Sequence, residues 1–411
     1  MKTKNLILNF LLLANVSFGQ VSYQVKIMSW NILNWPDNSS LAADTTLRCP
    51  AYRSVVQLVN PDILVTMENT ATNSVPLFLN QVMNSSGNSY RSGTFINGYD
   101  TDNGIFYRDS LFDFISNVPI HTALRDISHF SLIFTPTGDT LHIFAVHLKA
   151  SQGYENERAA EVANLRNVTN AFHDGVNFLV AGDFNIYDGG EPCYTALLQD
   201  NPGDDGNFND IWTMPGVWNN SSYAPYHTQS TRYSGGTGSG GGMDDRFDLI
   251  LYSNAIDQPG GMTLMPGTYI NIGNDGNHYN NSVNFGTNTA VPMSVANALY
   301  DASDHLPVSL ELFIQPVSVN EQESILLDLN VYPLPVNGES QISFSLKKSA
   351  EVEFEVMDVL GRQVFKGSKM NYPSGSFTFK PEWLNDLKSG YYSLLVKFNN
   401  SLINKKIVII N

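Results

Sequence analysis

The chain has 411 residues and a mass of 45.5 kDa, long enough for two or three domains, and its 42% hydrophobic and 11% aromatic content excludes bulk disorder. Only 15% of residues are charged, which leaves an uncharged polar surface. The formal charge of −16 is unevenly spread: residues 21–315 carry 11 Lys and Arg against 29 Asp and Glu, net −18, whereas residues 316–411 carry ten of each. An acidic body of this kind excludes the broad basic footprint of a tight, nonspecific nucleic-acid binder.

At the start, the apolar run Leu6–Ala14 follows Lys2 and Lys4 and leads to Ser17 and Gly19. This is the pattern of a cleaved secretory signal over residues 1–19, with the mature chain beginning near Gln20. The run is far short of the ~20 residues a membrane helix needs, so no stable membrane span is expected. Short apolar runs bounded by turn residues then recur at 24–29, 62–67, 103–108, 130–134, 140–147, 177–182, 247–252 and 306–314, and read as strands, several buried on both faces. Helical periods fall at 50–59, 74–83, 155–172 and 192–199; the third has Glu155 and Glu157 in its first turn, as the helix dipole favours. Together they predict an α/β sandwich over residues 21–315. Cys49 and Cys193 each precede a predicted helix; an exported chain allows one disulfide between them, and two buried thiols are the alternative. Gly235–Gly242 has GxGxxG spacing without a strand before it or a helix after it, and reads as a flexible hairpin rather than a nucleotide loop. A linker is expected over 316–329. Beyond it, strand-like runs at 341–346, 351–357, 363–366, 376–379, 391–397 and 405–410, separated by turn residues, predict a small all-β, Ig-like domain over 330–411.

The polar residues of the body fall at strand ends. Met28-Ser-Trp-Asn31 closes the first strand with a carboxamide and Val65-Thr-Met-Glu68 the second with a carboxylate. Ala145-Val-His147-Leu-Lys149 supplies an imidazole, Ala181-Gly-Asp183-Phe-Asn185 two oxygen donors, and Asp304-His305 precedes the last strand. Singly, each has a structural reading: Asn31 caps a turn, Glu68 faces solvent, His147 is a satisfied core residue. Delivered together by apolar strands, they build one polar pocket on a rigid frame. Oxygen ligands such as Glu68, Asn31 and Asp304 suit a hard cation, Mg2+ first, with Mn2+ or Ca2+ as alternatives. Beside two imidazoles, such a cation suits hydrolysis of a phosphate ester. Asp248, a carboxylate within the apolar strand Arg246–Tyr252, is placed to fix the tautomer and charge of a histidine.

The ordered set Ser-Trp-Asn31, Met-Glu68, Val-His147-Leu-Lys, Gly-Asp183-Phe-Asn185, Arg-Phe-Asp248 and Ser-Asp304-His305 resembles the endonuclease/exonuclease/phosphatase superfamily. The resemblance implies a four-layer α/β sandwich, two central, mostly antiparallel β-sheets flanked by helices, with the site at one end of the sheets. It implies Glu68, with Asn31 and Asp304, at the metal; Asp183 orienting or activating water; Asn185 and His147 on the phosphoryl oxygens; and His305, paired with Asp248, as general base or transition-state stabiliser. Tyr99 and Arg125 stand near positions where the family contacts substrate, although Tyr99 is also readable as a loop aromatic. Lys149, two residues past His147, and His227 and Arg232, in a polar loop before the glycine stretch, are further candidates for substrate contact.

The tail, with Val331-Tyr-Pro-Leu-Pro-Val-Asn337, Val356-Met-Asp-Val-Leu-Gly-Arg362, Leu387-Lys-Ser-Gly-Tyr-Tyr392 and terminal Lys405-Lys-Ile-Val, resembles the C-terminal sorting domain of type IX secretion. That implies the outer-membrane secretion machinery as a partner, and release or surface attachment after export. The function expected is a secreted, divalent-metal-dependent phosphodiester hydrolase, an extracellular nuclease first. Its substrate is then a phosphate ester, nucleic acid before others, and a monomer is expected. The alternatives are a phosphatase or sphingomyelinase-like lipid phosphodiesterase of the same fold, and an inactive surface-binding protein, which the complete polar set opposes.

Overall fold

The computed structural model describes residues 22–36, 45–201, 205–234, 237–258, 261–315, 326–358, 362–398 and 401–410. The expected signal at 1–19, and 316–325 of the expected linker, lie outside these residues. In chain order the body begins with β1 (Tyr23–Trp35), α1 (Thr45–Val59), β2 (Ile63–Asn69) and α2 (Ser74–Phe78), which runs on into one π-helical turn. Then come β3 (Tyr90–Ser92), β4 (Asp102–Arg108), β5 (Phe112–Ile120), β6 (Ile127–Phe134), β7 (Asp139–His147) and α3 (Glu155–Thr169). Next are β8 (Asn177–Asp183), α4 (Pro192–Leu198), β9 (Phe208–Asn209), β10 (Asp248–Ser253) and α5 (Asn254–Asp257). The last are β11 (Met262–Leu264), β12 (Ile270–Asn271), α6 (Met293–Ala302) and β13 (Val308–Ile314).

Among the described residues these strands form two sheets. One has the order β11-β13-β1-β2-β4-β3, with β12 beside β13; the other has the order β5-β6-β7-β8-β10-β9. Only the pairs β1–β2 and β7–β8 are parallel. The period of two sorts the apolar residues into three layers. Val25, Ile27, Ile63 and Val65 of the first sheet meet Leu141, Ile143, Leu179, Ala181 and Ile250 of the second between the sheets. Met28, Trp30 and Ile32 point outward to Tyr52 and Val55 of α1 and to Val295 and Leu299 of α6. Phe144, Val146, Phe178 and Val180 point outward to Val162 and Leu165 of α3 and Leu197 of α4. The result is helix, sheet, sheet, helix, the four layers predicted. Strands covered on both faces read as continuous apolar runs for this reason.

Cys49 lies in one outer layer and Cys193 in the other, both as free, buried thiols, so the disulfide left open by the sequence is not formed. Their thiols contact Gln81 and Glu191 instead.

The tail contains β14 (Leu326–Tyr332), β15 (Gln341–Leu346), β16 (Ala350–Asp358) and β17 (Gln363–Lys366). It continues with β18 (Met370–Tyr372), β19 (Gly375–Phe379), β20 (Gly390–Phe398) and β21 (Ser401–Ile409). Two sheets, β14-β15-β19 and β17-β16-β20-β21 with β18 beside β16, share a core that includes Leu329, Phe344, Val356 and Leu394. β14 starts at Leu326, inside the stretch expected as linker, because alternate apolar residues such as Leu329 and Val331 bury against that core.

Candidate active site

Strand direction explains why so many polar groups share one place. β1 and β2 run parallel and end together, Asn31 opposite Met67; β7 and β8 run parallel and end with His147 opposite Asp183. β10 is antiparallel to β8 and begins with Asp248 opposite Asp183. β13 is antiparallel to β1 and begins opposite Ser29, so Asp304-His305 arrives at the same edge. At that edge the two sheets are joined by polar contacts: the Asn31 carboxamide donates to Glu68 Oε1 at 2.9 Å and to Asp183 Oδ2 at 3.1 Å.

The backbone bends sharply to do this. Leu33, Asn34, Glu68 and Asn185 all have positive φ, between +46° and +63°. Non-glycine residues adopt that region where surrounding contacts hold them, commonly at functional sites. Glycine is required at two points. At Gly182 a Cβ would lie 1.9 Å from the carbonyl oxygen of Val146, so only glycine lets β7 approach β8 beside His147. At Gly238, φ +80°, a Cβ would lie 2.5 Å from Asp304 Oδ2, and the glycine loop therefore closes directly over that carboxylate.

One oxygen or nitrogen from each of Glu68, His147 and Asp183 lies within 4.8 Å of the others, a spacing that fits a shared cation. His147 Nε2 is 3.6 Å from Asp183 Oδ2 and 4.0 Å from Glu68 Oε1. His305 Nδ1 lies 2.8 Å from Asp248 Oδ2, and its Nε2 lies 3.6 Å from Asp183 Oδ2. Burial, together with the charges of Asp248 and Glu68, pushes the Asp183 carboxyl up to about 7. Burial and the Asp304 charge raise Glu68 likewise. Burial keeps His147 neutral, well below the usual imidazole range, and the charges of Arg125 and His305 act in the same direction. Burial alone would neutralise His305 too, but the charges of Asp248 and Asp183 outweigh it and hold the ring protonated well above the usual range.

Asp304 Oδ2 accepts the Ser239 N–H at 2.6 Å, while its Oδ1 is buried without a partner among the described residues. An unpaired carboxylate oxygen beside the raised Glu68 is what a hard cation would satisfy. The donor set therefore fits a divalent metal. Asn31 enters differently from the expectation that it ligates. Its amide hydrogens face the two carboxylates and its oxygen accepts the Leu33 N–H at 3.0 Å, so it orients Glu68 and Asp183.

Residues 28–305 match the Endonuclease/Exonuclease/phosphatase family. The chain belongs to that family. Its members hydrolyse phosphoester bonds with the help of a divalent metal. Residues 330–410 match the secretion system C-terminal sorting domain, which marks the chain for export, as a secreted or surface-attached protein. No helix among the described residues is long and apolar enough to cross a membrane. Similar solved structures include the human Nocturnin catalytic domain, 18% identical with a TM-score of 0.46 over 72% of this chain and 97% of that one. D. rerio TDP2 complexed with single strand DNA product is 18% identical, TM-score 0.47, over 70% and 98% of the two chains. A mannosyl-6-phosphatase of Bacteroides thetaiotaomicron is 16% identical, TM-score 0.43, over 70% and 99%. No curated protein sequence matches the chain significantly.

Within this family member the remaining predicted residues divide. Arg125 sits beneath His147: it pairs with Asp100 at 2.9 Å and donates to the carbonyls of His147 and Leu148. Lys149 stacks its ammonium over the Tyr154 ring at 3.9 Å. Tyr99 is 81% exposed, two residues from Thr101, whose hydroxyl lies 3.5 Å from His147 Nδ1. Asn185 donates its amide to the carbonyl of Leu148 and its N–H to Asp183 Oδ1. His227 and Arg232 do not line the cleft. His227 is fully buried, with Nε2 on the Trp218 carbonyl, and burial lowers its pKa. Arg232 is spent on the carbonyls of Tyr300, Thr237 and Asp301 and braces the glycine loop from behind. That loop lies over Asp304, a role that its composition did not reveal.

Gln229 was not foreseen. Its side chain lies 2.5 Å from His305 Nε2, and its backbone bridges both Asp245 and His305. Thr228 Oγ1 accepts the N–H of Asp248, so one irregular segment ties both members of the His305–Asp248 pair. The segment follows no period, and no sequence signal marked it.

Proposed function

We propose that the chain is a secreted, divalent-metal-dependent phosphodiesterase, an extracellular nuclease first, with a signal at 1–19, a catalytic body at 21–315, and a sorting tail at 330–411. The observation that carries this reading is the convergence of Glu68, His147, Asp183, Asp304 and the His305–Asp248 pair at one sheet edge.

Glu68 and Asp304 would hold the cation, Mg2+ before Mn2+ or Ca2+, with Asp183 and His147 within reach. When bound, it supplies positive charge against the phosphoryl oxygens. Asp183, with Oδ2 3.6 Å from Nε2 of both His147 and His305, takes a proton from the attacking water. His305, kept positive by Asp248, offers Nε2–H to the charge that develops on phosphorus-bound oxygen. His147, neutral and aimed by Nε2 at the same point, supplies a second imidazole contact. Asn31 fixes both carboxylates, so little reorganisation is left for the reaction.

The exposed Tyr99 ring and the Lys149–Tyr154 pair, both close in sequence to groups that contact or contain His147, favour a nucleic acid that can stack a base and place a phosphate. The net charge of −18 over residues 21–315 favours the second reading, a small phosphoester of sugar or lipid. The deciding experiment is hydrolysis by the mature chain of DNA, RNA, sphingomyelin and phosphomonoesters, with and without chelator. Cleavage of DNA or RNA that chelation abolishes supports the nuclease. Turnover of a lipid or sugar phosphate by a preparation that leaves nucleic acid intact replaces it with the second reading.

A further inference from the structure

Past Asn31 the β1 backbone curls, with Leu33 at φ +46° and Asn34 at φ +47°. The curl turns two amides toward the site: Leu33 N–H holds the Asn31 oxygen at 3.0 Å, and Asn34 N–H holds Glu68 Oε2 at 2.8 Å. Side chains with a Cβ are disfavoured in that conformation, so something must hold it.

What holds it is Arg48, on α1. Arg48 is 1% exposed, and its guanidinium donates to the carbonyls of both Ile32 and Leu33, the latter at 2.5 Å. Nε of the same group donates to the Ala302 carbonyl at 3.2 Å, and Ala302 closes α6 two residues before Asp304. Tyr52 OH adds a donor to Ile32 O at 2.6 Å, and the rings of Trp35 and Tyr52 lie 6.0 and 5.3 Å from the guanidinium carbon. Among the described residues no carboxylate pairs with Arg48. Its Nη2 and Nε serve carbonyls of two chain segments that are more than 250 residues apart, Nη2 donates to the Tyr52 hydroxyl as well, and Nη1 is buried without a partner among the described residues.

We infer that Arg48 is a positioning residue for the metal site: by clamping the β1 curl to the end of α6, it holds Asn31 and Glu68 in register with Asp304. The inference rests on the metal reading above. Lysine keeps the charge but lacks the planar fork that reaches several carbonyls at once, so Arg48→Lys separates bridging from charge.

The test is calorimetric Mn2+ binding to the full mature chain and its variants, with folding followed by circular dichroism. Arg48→Lys should weaken Mn2+ by ~10-fold or more, as loss of an outer support of a metal ligand does. Adding Asn34→Gly should recover part of the loss, because glycine enters the left-handed region without a Cβ clash while keeping the N–H that holds Glu68. Tyr52→Phe, which removes the hydroxyl that donates to Ile32 O and accepts from Arg48 Nη2, should weaken binding by a smaller factor, and decides the matter if Arg48→Lys does not fold. A folded Arg48→Lys chain with wild-type Mn2+ affinity would overturn the inference, as would wild-type affinity in Tyr52→Phe when the lysine variant is unfolded. If the wild-type chain binds no Mn2+, the metal reading itself fails and this inference falls with it.

Discussion

Replacing Asp248 by Asn removes a charge while leaving shape almost unchanged, and so isolates the electrostatic part of the His305–Asp248 pair. Asp248 is fully buried, and its Oδ2 lies 2.8 Å from His305 Nδ1. With charge centres roughly 4 Å apart and an effective dielectric constant of about 20, the attraction is about 4 kcal/mol. Part of it is recovered by the hydrogen bond that an Asn oxygen can still accept. A loss of 3–4 kcal/mol, or roughly 10²–10³ in rate, is therefore expected for Asp248→Asn. His305→Ala should cost a similar ~10²–10³, since it removes the donor that Asp248 charges.

The decisive quantity is the double variant. If Asp248 acts through His305, the second substitution has little left to remove, and Asp248→Asn with His305→Ala should be scarcely slower than His305→Ala alone. The assay is kcat/KM on a chromogenic phosphodiester, with thermal unfolding as control for fold. Rate losses that multiply in the double variant would refute the pairing and assign Asp248 a separate role.

Three further outcomes follow from particular contacts. Chelation should abolish hydrolysis and Mn2+ should raise the Tm, because an ion that binds only the folded state at about 100 times its Kd adds roughly 2.7 kcal/mol; full activity after exhaustive chelation contradicts the metal reading. Gly238→Ala should impair metal binding with the fold intact, since its Cβ would lie 2.5 Å from Asp304 Oδ2, and calorimetry of a folded variant with undiminished affinity would count against the glycine loop. Stability should fall on acidification: burial depresses His129 to about 4 and His142 to about 3, so below the ordinary 6.5 the unfolded chain takes up protons that the folded chain refuses. That stability is present above pH 6.5 and is lost as pH falls toward 4, by about 3 kcal/mol for His129 alone; denaturant unfolding across this range should be flatter in His129→Gln.

The strands were legible wherever both faces are covered, because burial on two sides forces an uninterrupted apolar run. β5 was missed for the converse reason: it lies at the end of its sheet, exposes Asp113 and Ile115, and contains Pro119, so it shows neither a run nor a clean alternation. The polar ends of strands were legible because each breaks such a run. Gln229 and Arg48 were not, since each acts through contacts remote in sequence, with His305 and with Ala302. Arg48 instead sat within a predicted acidic body as one unremarked cation. The direction of the Asn31 carboxamide was equally hidden: a strand-end Asn predicts a polar group, and only the placement of Glu68, Asp183 and Leu33 around it separates a ligand from a donor.

Burying Glu68 and Asp183 beside Asp304 at one edge opposes folding, because burial first, and neighbouring carboxylates second, disfavour the ionisation of Glu68 and Asp183. The site reduces that cost locally. Asn31 donates to both Glu68 and Asp183, the amides of Asn34, Asn185 and Ser239 donate to Glu68, Asp183 and Asp304 respectively, and the protonated His305 contributes a full positive charge nearby. Compensation is incomplete, as the raised carboxyls of Asp183 and Glu68 and the unpaired Asp304 Oδ1 show. The remaining negative potential draws a cation, so the same deficit that weakens the empty fold would strengthen the loaded one. Replacing Asp304 by Asn should therefore stabilise the metal-free chain while weakening Mn2+ binding, two changes of opposite sign from one substitution. Thermal unfolding in chelator and in excess Mn2+ measures both. If Asp304→Asn instead shifts the two Tm values together, the carboxylate cluster is a structural feature and the cation has no special claim on it.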